Sequence, residues 1–262
     1  MDFTGKTVVV TGSGKGLGMG IALEFGKAGA NVVVTYHNST SNVNSLIGKI
    51  NSSGGQADKF KVDVSNEVNV KALMDFAVER FGSLDILVNN AAVQIDLPFE
   101  EYDPDDYTWL MDTNLKGYFM CTKYAAEKMI PNHKGKIIYI SSIHSKRPTE
   151  FDPAYSMSKG GIRMLAREAA IEYGPEGIQV NVAEPGYVKI EAGKSGAAKN
   201  NYFSNIKKVP RIIRGIDYKK RMKYTRFCEP IDVGKLCIYL ASSGADMLNG
   251  SAIRQDGGTI LY

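Results

Sequence analysis

Short β-branched runs alternate along the chain with longer stretches of helical period, and this alternation constrains the fold more than any other feature. A strand can reach a parallel neighbour only through a crossover of about a dozen residues or more, and such crossovers are right-handed and usually helical. The runs Thr7–Thr11, Asn31–Tyr36, Asp58–Val62, Leu84–Val88, Lys136–Ser141, Gln179–Val182 and Ser251–Arg254 read as strands, each bounded by glycine or polar turn residues. Between them, Leu17–Ala28, Val43–Ser52, Val68–Phe81, Pro104–Met129, Ala154–Tyr173 and Ile231–Leu240 read as helices. The pattern predicts an α/β fold, a doubly wound, seven-stranded parallel sheet with helices on both faces. No repeat, low-complexity tract or Pro/Ser linker divides the 262 residues, so one domain over 1–262 is expected.

Composition fits a chain that buries its own core, with 44% hydrophobic and 23% charged residues. Cys121, Cys228 and Cys237 are spaced for neither a zinc module nor a disulfide framework, so a reducing compartment and no metal are expected. The opening Met-Asp-Phe-Thr-Gly-Lys runs straight into the first strand, leaving no room for a signal peptide. No apolar stretch reaches the roughly 18 residues of a membrane span. A cytoplasmic protein without a membrane partner is expected.

The net charge of +4 is unevenly spread. Between Gly193 and Arg226, eleven Lys and Arg residues stand against one acid, Asp217, so this stretch carries +10 and the remainder −6. It lies in a connection, 187–230, that is long for a compact domain and follows the sixth strand, at the carboxyl edge where ligands bind in doubly wound sheets. A substrate lid is expected there. Its charge fits an anionic substrate as well as it fits a solvated surface. One basic stretch without a recognisable binding motif does not imply a nucleic-acid partner.

After the first strand, Thr11-Gly12-Ser13-Gly14-Lys15-Gly16-Leu17-Gly18 opens into a helix. Glycines let a main chain approach a pyrophosphate closely, while free amides and the dipole at the helix start favour its negative charge. A Rossmann-type dinucleotide site is the reading. At the end of the second strand, where an acid would bond the adenosine ribose, stand Tyr36, His37 and Asn38. Without a carboxylate to repel a 2′-phosphate, and with Lys15 as a nearby cation, NADP(H) is the preferred cofactor, with NAD(H) still admitted.

Tyr155-Ser156-Met157-Ser158-Lys159 places a phenol and an ammonium four residues apart on one face of a starting helix. With a pKa near 10, a phenol needs a neighbouring cation to exchange its proton near neutrality. The same spacing recurs at Tyr124 and Lys128. Thirteen residues before Tyr155, however, stands Ser142, which can meet the phenol and polarise a carbonyl, whereas the equivalent position before Tyr124 is Met111. Tyr124 and Lys128 therefore read as a solvated helix face.

Together these motifs make the chain similar to the classical short-chain dehydrogenase/reductase family over essentially its whole length. The resemblance is carried by residues 11–18, Asp63-Val64, Asn89-Asn90-Ala91-Ala92, Asn114 in Thr-Asn-Leu-Lys-Gly, Ser142, Tyr155, Lys159, Pro185-Gly186 and Asp256-Gly257-Gly258, in that order. It implies hydride transfer between a nicotinamide and a carbon bearing an alcohol or carbonyl, and a homotetramer. Tyr155 would be the acid–base group, Ser142 would orient the substrate oxygen, Lys159 would lower the phenol pKa and hold the nicotinamide ribose, and Asn114 would keep a water in a proton relay. Gly12, Ser13, Gly16, Leu17 and Gly18 would take the pyrophosphate, with Tyr36 and His37 near the ribose and Lys15 near its 2′-phosphate. Asp63 and Val64 would flank the adenine, Asn90 the adenosine side and Val188 the carboxamide, and Ala91, Pro185 and Gly186 would also touch the cofactor. The chain departs from the family at Ala92, at Ile190 in place of a common threonine, and at Glu184, which must be exposed, paired or turned into the substrate site.

Gln94, Ile95, His144, Phe151 and Tyr187 are expected around the reacting carbon, with Gln94, His144 and Tyr187 as substrate contacts. His144 reads as polar lining rather than a second catalyst. Ser-Ser-Ile-His and the ending Asp-Gly-Gly-Thr-Ile-Leu-Tyr look like the glucose-1-dehydrogenase branch, which favours a sugar, polyol or sugar acid. A 3-oxoacyl thioester or a hydroxysteroid is the alternative. A non-catalytic cofactor sensor would tend to lose Ser142, Tyr155 or Lys159, and all three are present.

Overall fold

The computed structural model describes residues 1–38, 42–148, 152–190 and 227–260. The basic stretch and most of the expected lid lie outside the described residues, as does Phe151.

Seven strands form one parallel sheet in the order β3-β2-β1-β4-β5-β6-β7. They are β1 (Thr7–Val10), β2 (Asn31–Tyr36), β3 (Gln56–Lys61), β4 (Ile86–Asn89), β5 (Gly135–Ile140), β6 (Ile178–Pro185) and β7 (Ala252–Gln255). The order reverses between β1 and β4, which opens a crevice at their carboxyl ends. The described helices are α1 (Gly16–Lys27), α2 (Val43–Ser52), α3 (Glu67–Phe81), α4 (Pro104–Met111), α5 (Gly117–Met129), α6 (Pro153–Tyr173) and α7 (Pro230–Ala241).

Alternate residues of the central strands feed two separate cores, as the two-residue period of a strand requires. Val9, Leu87, Ile137, Tyr139 and Val180 pack under α3, α5 and α6. Val8, Val10, Ile86, Val88, Ile138 and Ile140 pack under α1, α2 and α7. On that second face α1 and α7 come very close. A Cβ at Gly20 would stand 2.4 Å from Pro230, and one at Gly234 would stand 2.8 Å from Glu24. An Asp232 carboxylate accepting from the Glu229 amide at 2.9 Å closes the start of α7.

Three expectations are corrected. The helix expected over Pro104–Met129 is two helices joined by a π-helical turn, Asp112–Lys116, whose extra residue turns Asn114 into the interior. Tyr124 is not on a solvated face. It is buried, its hydroxyl bonds the Glu67 carboxylate, and Lys128 pairs with Asp75, so both dock α5 on α3. The sixth strand runs to Pro185 instead of ending at Val182, because β7 pairs with it from Val182 through Pro185.

Two glycines give opposite expectations. Gly177 has φ of +75°, and a Cβ there would stand 2.0 Å from the His133 carbonyl oxygen, so Gly177→Ala should destabilise by about 2 kcal/mol or more. Gly48 lies exposed inside α2 with nothing within 4 Å of a Cβ, so Gly48→Ala should stabilise by about 0.5–1 kcal/mol. Thermal or urea unfolding of the two variants checks both signs.

Candidate active site

The glycine loop is held from below. The Ser13 hydroxyl donates to Val10 O at 2.7 Å and accepts from Thr35 N at 2.8 Å. Thr35 Oγ1 takes the Gly12 amide at 2.7 Å. Ser13 thus braces the loop through its side chain. Gly12 needs its positive φ of +66°, and a Cβ there would stand 2.9 Å from Ala91 Cα. A Cβ at Gly18 would meet the Asn90 amide and Gly12 O, both at 2.6 Å. Asn90 itself donates to Thr11 O at 2.8 Å, and the Asn90 and Ala91 amides donate to Thr11 Oγ1. Lys15, exposed at the N-cap of α1, makes no side-chain cap bond, so the first amides of α1 at Gly16 and Leu17 remain available to an anion. This cradle of loop and helix start fits a dinucleotide pyrophosphate.

On the adenosine side, Tyr36 packs beside Gly14 and His37 is exposed. His37 Nε2 lies 3.8 Å from Asp63 Oδ2. Burial alone would raise the Asp63 carboxyl, but hydrogen bonds from Ser65 and the nearby His37 hold it below its usual range. Val64 is buried against Gly117 at the start of α5.

The expected reacting groups converge where β5 meets α6. Ser142, just past β5, caps a short turn by accepting the His144 amide at 3.2 Å, and its hydroxyl bonds the Tyr155 phenol. Lys159, 2% exposed, donates to Ile140 O at 2.9 Å, with its Nζ 5.3 Å from the centre of the Tyr155 ring. The Tyr118 hydroxyl shares the same carbonyl at 3.0 Å. Burial pulls the Lys159 ammonium down to about 7, against the raising influence of Asp152. Burial and the Asp152 charge push the Tyr155 phenol up, and the Ser142 bond only partly offsets them. Asn114 uses its amide on the main chain of Val93, donating to the carbonyl and accepting the N–H at 2.8 Å each, and also reaches Ser158 at 3.2 Å. It anchors the turn after β4 to the start of α6.

The substrate side contains a group the sequence reading passed over. Asp152, 1% exposed at the N-cap of α6, accepts from the Gln94 amide at 2.9 Å and lies 3.8 Å from His144 Nδ1. The His144 and Tyr155 rings meet edge to face, 5.9 Å apart. Gln94 and His144 are thus gathered beside Tyr155, whereas Tyr187 is 69% exposed and packs on Phe227. An aspartate before a proline at a helix start carries no signal that sets it apart from an ordinary cap.

Glu184 is fully buried and paired. It accepts from the Ser145 hydroxyl at 2.7 Å, with Arg163 at 3.3 Å and Lys146 at 3.5 Å. The carboxylate therefore ties the end of β6 to the turn after Ser142 and to α6. Pro185 is buried, and Gly186 lies so close to the C-terminal turn that a Cβ would stand 2.8 Å from Asp256. Val188 bridges to Cys228, and Ile190 lies over Gly16.

Residues 6–201 match the family profile described as short chain dehydrogenase. The chain is 36% identical to glucose 1-dehydrogenase 2 of Bacillus subtilis strain 168, an alignment covering 100% of this chain and 97% of the relative. It is 34% identical to 3beta-hydroxysteroid dehydrogenase 1 of Eggerthella lenta, covering 100% and 96%. A crystal structure from Agrobacterium tumefaciens, described as a gluconate dehydrogenase, superposes with a TM-score of 0.85 at 32% identity, covering 98% and 97% of the two chains. With its seven-stranded parallel sheet and this breadth of match, the chain belongs to the short chain dehydrogenase family, oxidoreductases that act on CH–OH groups.

Proposed function

We propose that the protein is an NADP(H)-preferring dehydrogenase of a secondary alcohol in a sugar or polyol. The observation that carries this reading is the polar lining beside Tyr155, where Gln94, His144 and Asp152 stand together. The named activities of the Bacillus and Agrobacterium relatives, on glucose and gluconate, support it. The Eggerthella relative favours a hydroxysteroid instead, but a steroid skeleton is mostly apolar and matches the polar side chains of Gln94 and His144 less well than a polyol does.

A nicotinamide dinucleotide along the glycine loop supplies the hydride acceptor or donor. In this reading Tyr155 Oη takes the alcohol proton during oxidation and returns it during reduction, while Ser142 holds the substrate oxygen. Lys159 provides positive charge beside the phenol and a donor for the nicotinamide ribose. Asn114, by the family resemblance, keeps a water in the relay. Gly12, Gly16 and Leu17 hold the pyrophosphate, and Lys15 supplies a cation for the 2′-phosphate of NADP. Tyr36, His37, Asp63, Val64, Asn90 and Ala91 flank the adenosine, and Pro185, Gly186 and Val188 the carboxamide.

A homotetramer belongs to the same proposal. Trp109, Phe119, Met164 and Ile171 on α4, α5 and α6 are 43%, 55%, 61% and 72% exposed in the single chain. Closed dihedral assembly would bury them.

Tyr155→Phe should lower turnover by about a hundredfold or more at saturating cofactor, with cofactor affinity changed by less than about twofold, as stopped-flow and fluorescence titration would read. Because burial and Asp152 keep the phenol protonated, wild-type oxidation should gain with rising pH, and this variant should lose that gain. Lys15→Ala should raise the KM for NADP by roughly tenfold and leave that for NAD nearly unchanged; equal effects would remove the phosphate-reading role. Replacing Met164 and Ile171 together by aspartate should lower the mass seen in light scattering from tetramer to a smaller species.

A further inference from the structure

The turn that carries Ser142 closes on itself through local bonds. The Ser145 amide donates to Ser142 O at 3.0 Å, and the Lys146 and Arg147 amides both donate to Ile143 O at 3.1 Å. The last bond of the sheet ahead of it runs from Ser141 N to Ala183 O at 2.9 Å, so the ladder stops one residue before Ser142. Side chains must then fix where the turn stands, and a reacting group keeps its geometry only when the shell behind it is rigid.

Glu184 supplies that support from β6. Its main chain is set in the sheet opposite Arg254 of β7, and its neighbour Ala183 lies opposite Ile140 of β5. From there one carboxylate reaches two elements. Oε1 accepts the Ser145 hydroxyl at 2.7 Å and lies 3.3 Å from Arg163 Nε, while Oε2 lies 3.5 Å from Lys146 Nζ. Ser145 and Lys146 belong to the turn, three and four residues after Ser142. Arg163 belongs to α6, four residues after Lys159 and eight after Tyr155, and so on their face of the helix. A buried ion cluster is weak evidence for stability, because apolar side chains of similar volume often replace one without loss. What the carboxylate adds is direction, since its bonded partners hold the turn and the helix at set distances.

We propose that Glu184 is a positioning residue for the reaction: by holding Ser145 and Arg163 on one carboxylate, it sets the Ser142 hydroxyl against the Tyr155 phenol at the spacing the substrate oxygen needs. Glu184 acts through Ser142 and bonds none of Ser142, Tyr155 and Lys159 itself among the described residues. The proposal rests on the roles given above to Ser142 and Tyr155.

The test cuts the link at its mildest point. Ser145→Ala removes one hydroxyl from the turn, and Glu184→Gln keeps the shape and an acceptor for Ser145 but not the charge; should Glu184→Gln fail to fold, Ser145→Ala carries the test alone. In stopped-flow hydride transfer with NADP and D-glucose, Ser145→Ala should slow the step by roughly tenfold and Glu184→Gln by a smaller factor, with NADP affinity changed by less than about twofold. In a Ser142→Ala background the same substitutions should add less than about twofold, because the group they position is gone. An equal loss in both backgrounds marks general loosening and overturns the proposal, as does wild-type transfer in both single variants. Wild-type transfer in Ser142→Ala alone removes the Ser142 reading and this proposal with it, whereas a large loss there with additive effects removes this proposal only. Fluorine NMR of the NADP complex, with 3-fluorotyrosine in place of Tyr155, reads the same geometry without turnover. Each variant should move the resonance toward its position in Ser142→Ala. A resonance unmoved in both variants overturns the proposal even where D-glucose is not oxidised, and that lack of oxidation counts against the sugar reading alone.

Discussion

The interlock between the first and fourth strand ends underlies everything at the site. Thr11 Oγ1 accepts the Asn90 and Ala91 amides at 2.9 and 3.0 Å, and the Asn90 side chain returns to Thr11 O. These bonds cross the point where the strand order reverses, and without them the glycine loop would have no fixed height above the sheet. Gly12 and Gly18 are the consequence, since a side chain at either would force the two strand ends apart. Asn114 extends the same scaffold by clamping Val93 and Ser158, so the turn after β4 and the start of α6 move as one unit.

On the other side of the crevice the scaffold is built from buried charge. Lys159 and the Tyr118 hydroxyl meet on one carbonyl, Ile140 O, at the end of β5. Glu184, one strand away, gathers Ser145, Lys146 and Arg163. Taking one member from such a buried cluster strands the others, and loss of one partner of a buried pair typically costs about 3–5 kcal/mol. The arrangement holds the turn bearing Ser142 and His144 against α6, where preorganised groups contribute most to a charge-developing reaction. Asp152 and Glu184 each keep one buried oxygen, Oδ1 and Oε2, without a hydrogen-bond partner.

Much of this was legible in the chain. Val8, Val9 and Val10 announce a strand buried on both faces, and β2, β5 and β7 fall within two residues of their expected bounds. The Tyr155 and Lys159 pair was separable from Tyr124 and Lys128 by Ser142 alone, and the structure brings Ser142 to the phenol. The π-turn at Asp112–Lys116 was not legible, because an extra residue in a helix leaves the apolar period almost undisturbed while rotating everything after it. The burial of Tyr124 was also hidden, since its partner Glu67 lies on another helix, 57 residues away.

By itself the sequence determined the order of elements, the parallel sheet, the glycine loop and the identities of the serine, tyrosine and lysine that meet at its edge. Those depend on local period and on short spacings, which a single chain carries in plain view. Tertiary structure alone decided which polar groups are satisfied. Glu184 could stand exposed, paired or in the cleft, and only the packing of β6 against α6 and the turn after β5 supplied Arg163 and Lys146 to neutralise it. Asp152 carries no signal in the sequence, yet the turns of chain that bring Gln94 and His144 to it, from 58 residues and eight residues away, removed it from water and left one oxygen without a hydrogen-bond partner. Satisfaction of a buried charge is a property of everything around it, and no local pattern of residues contains it.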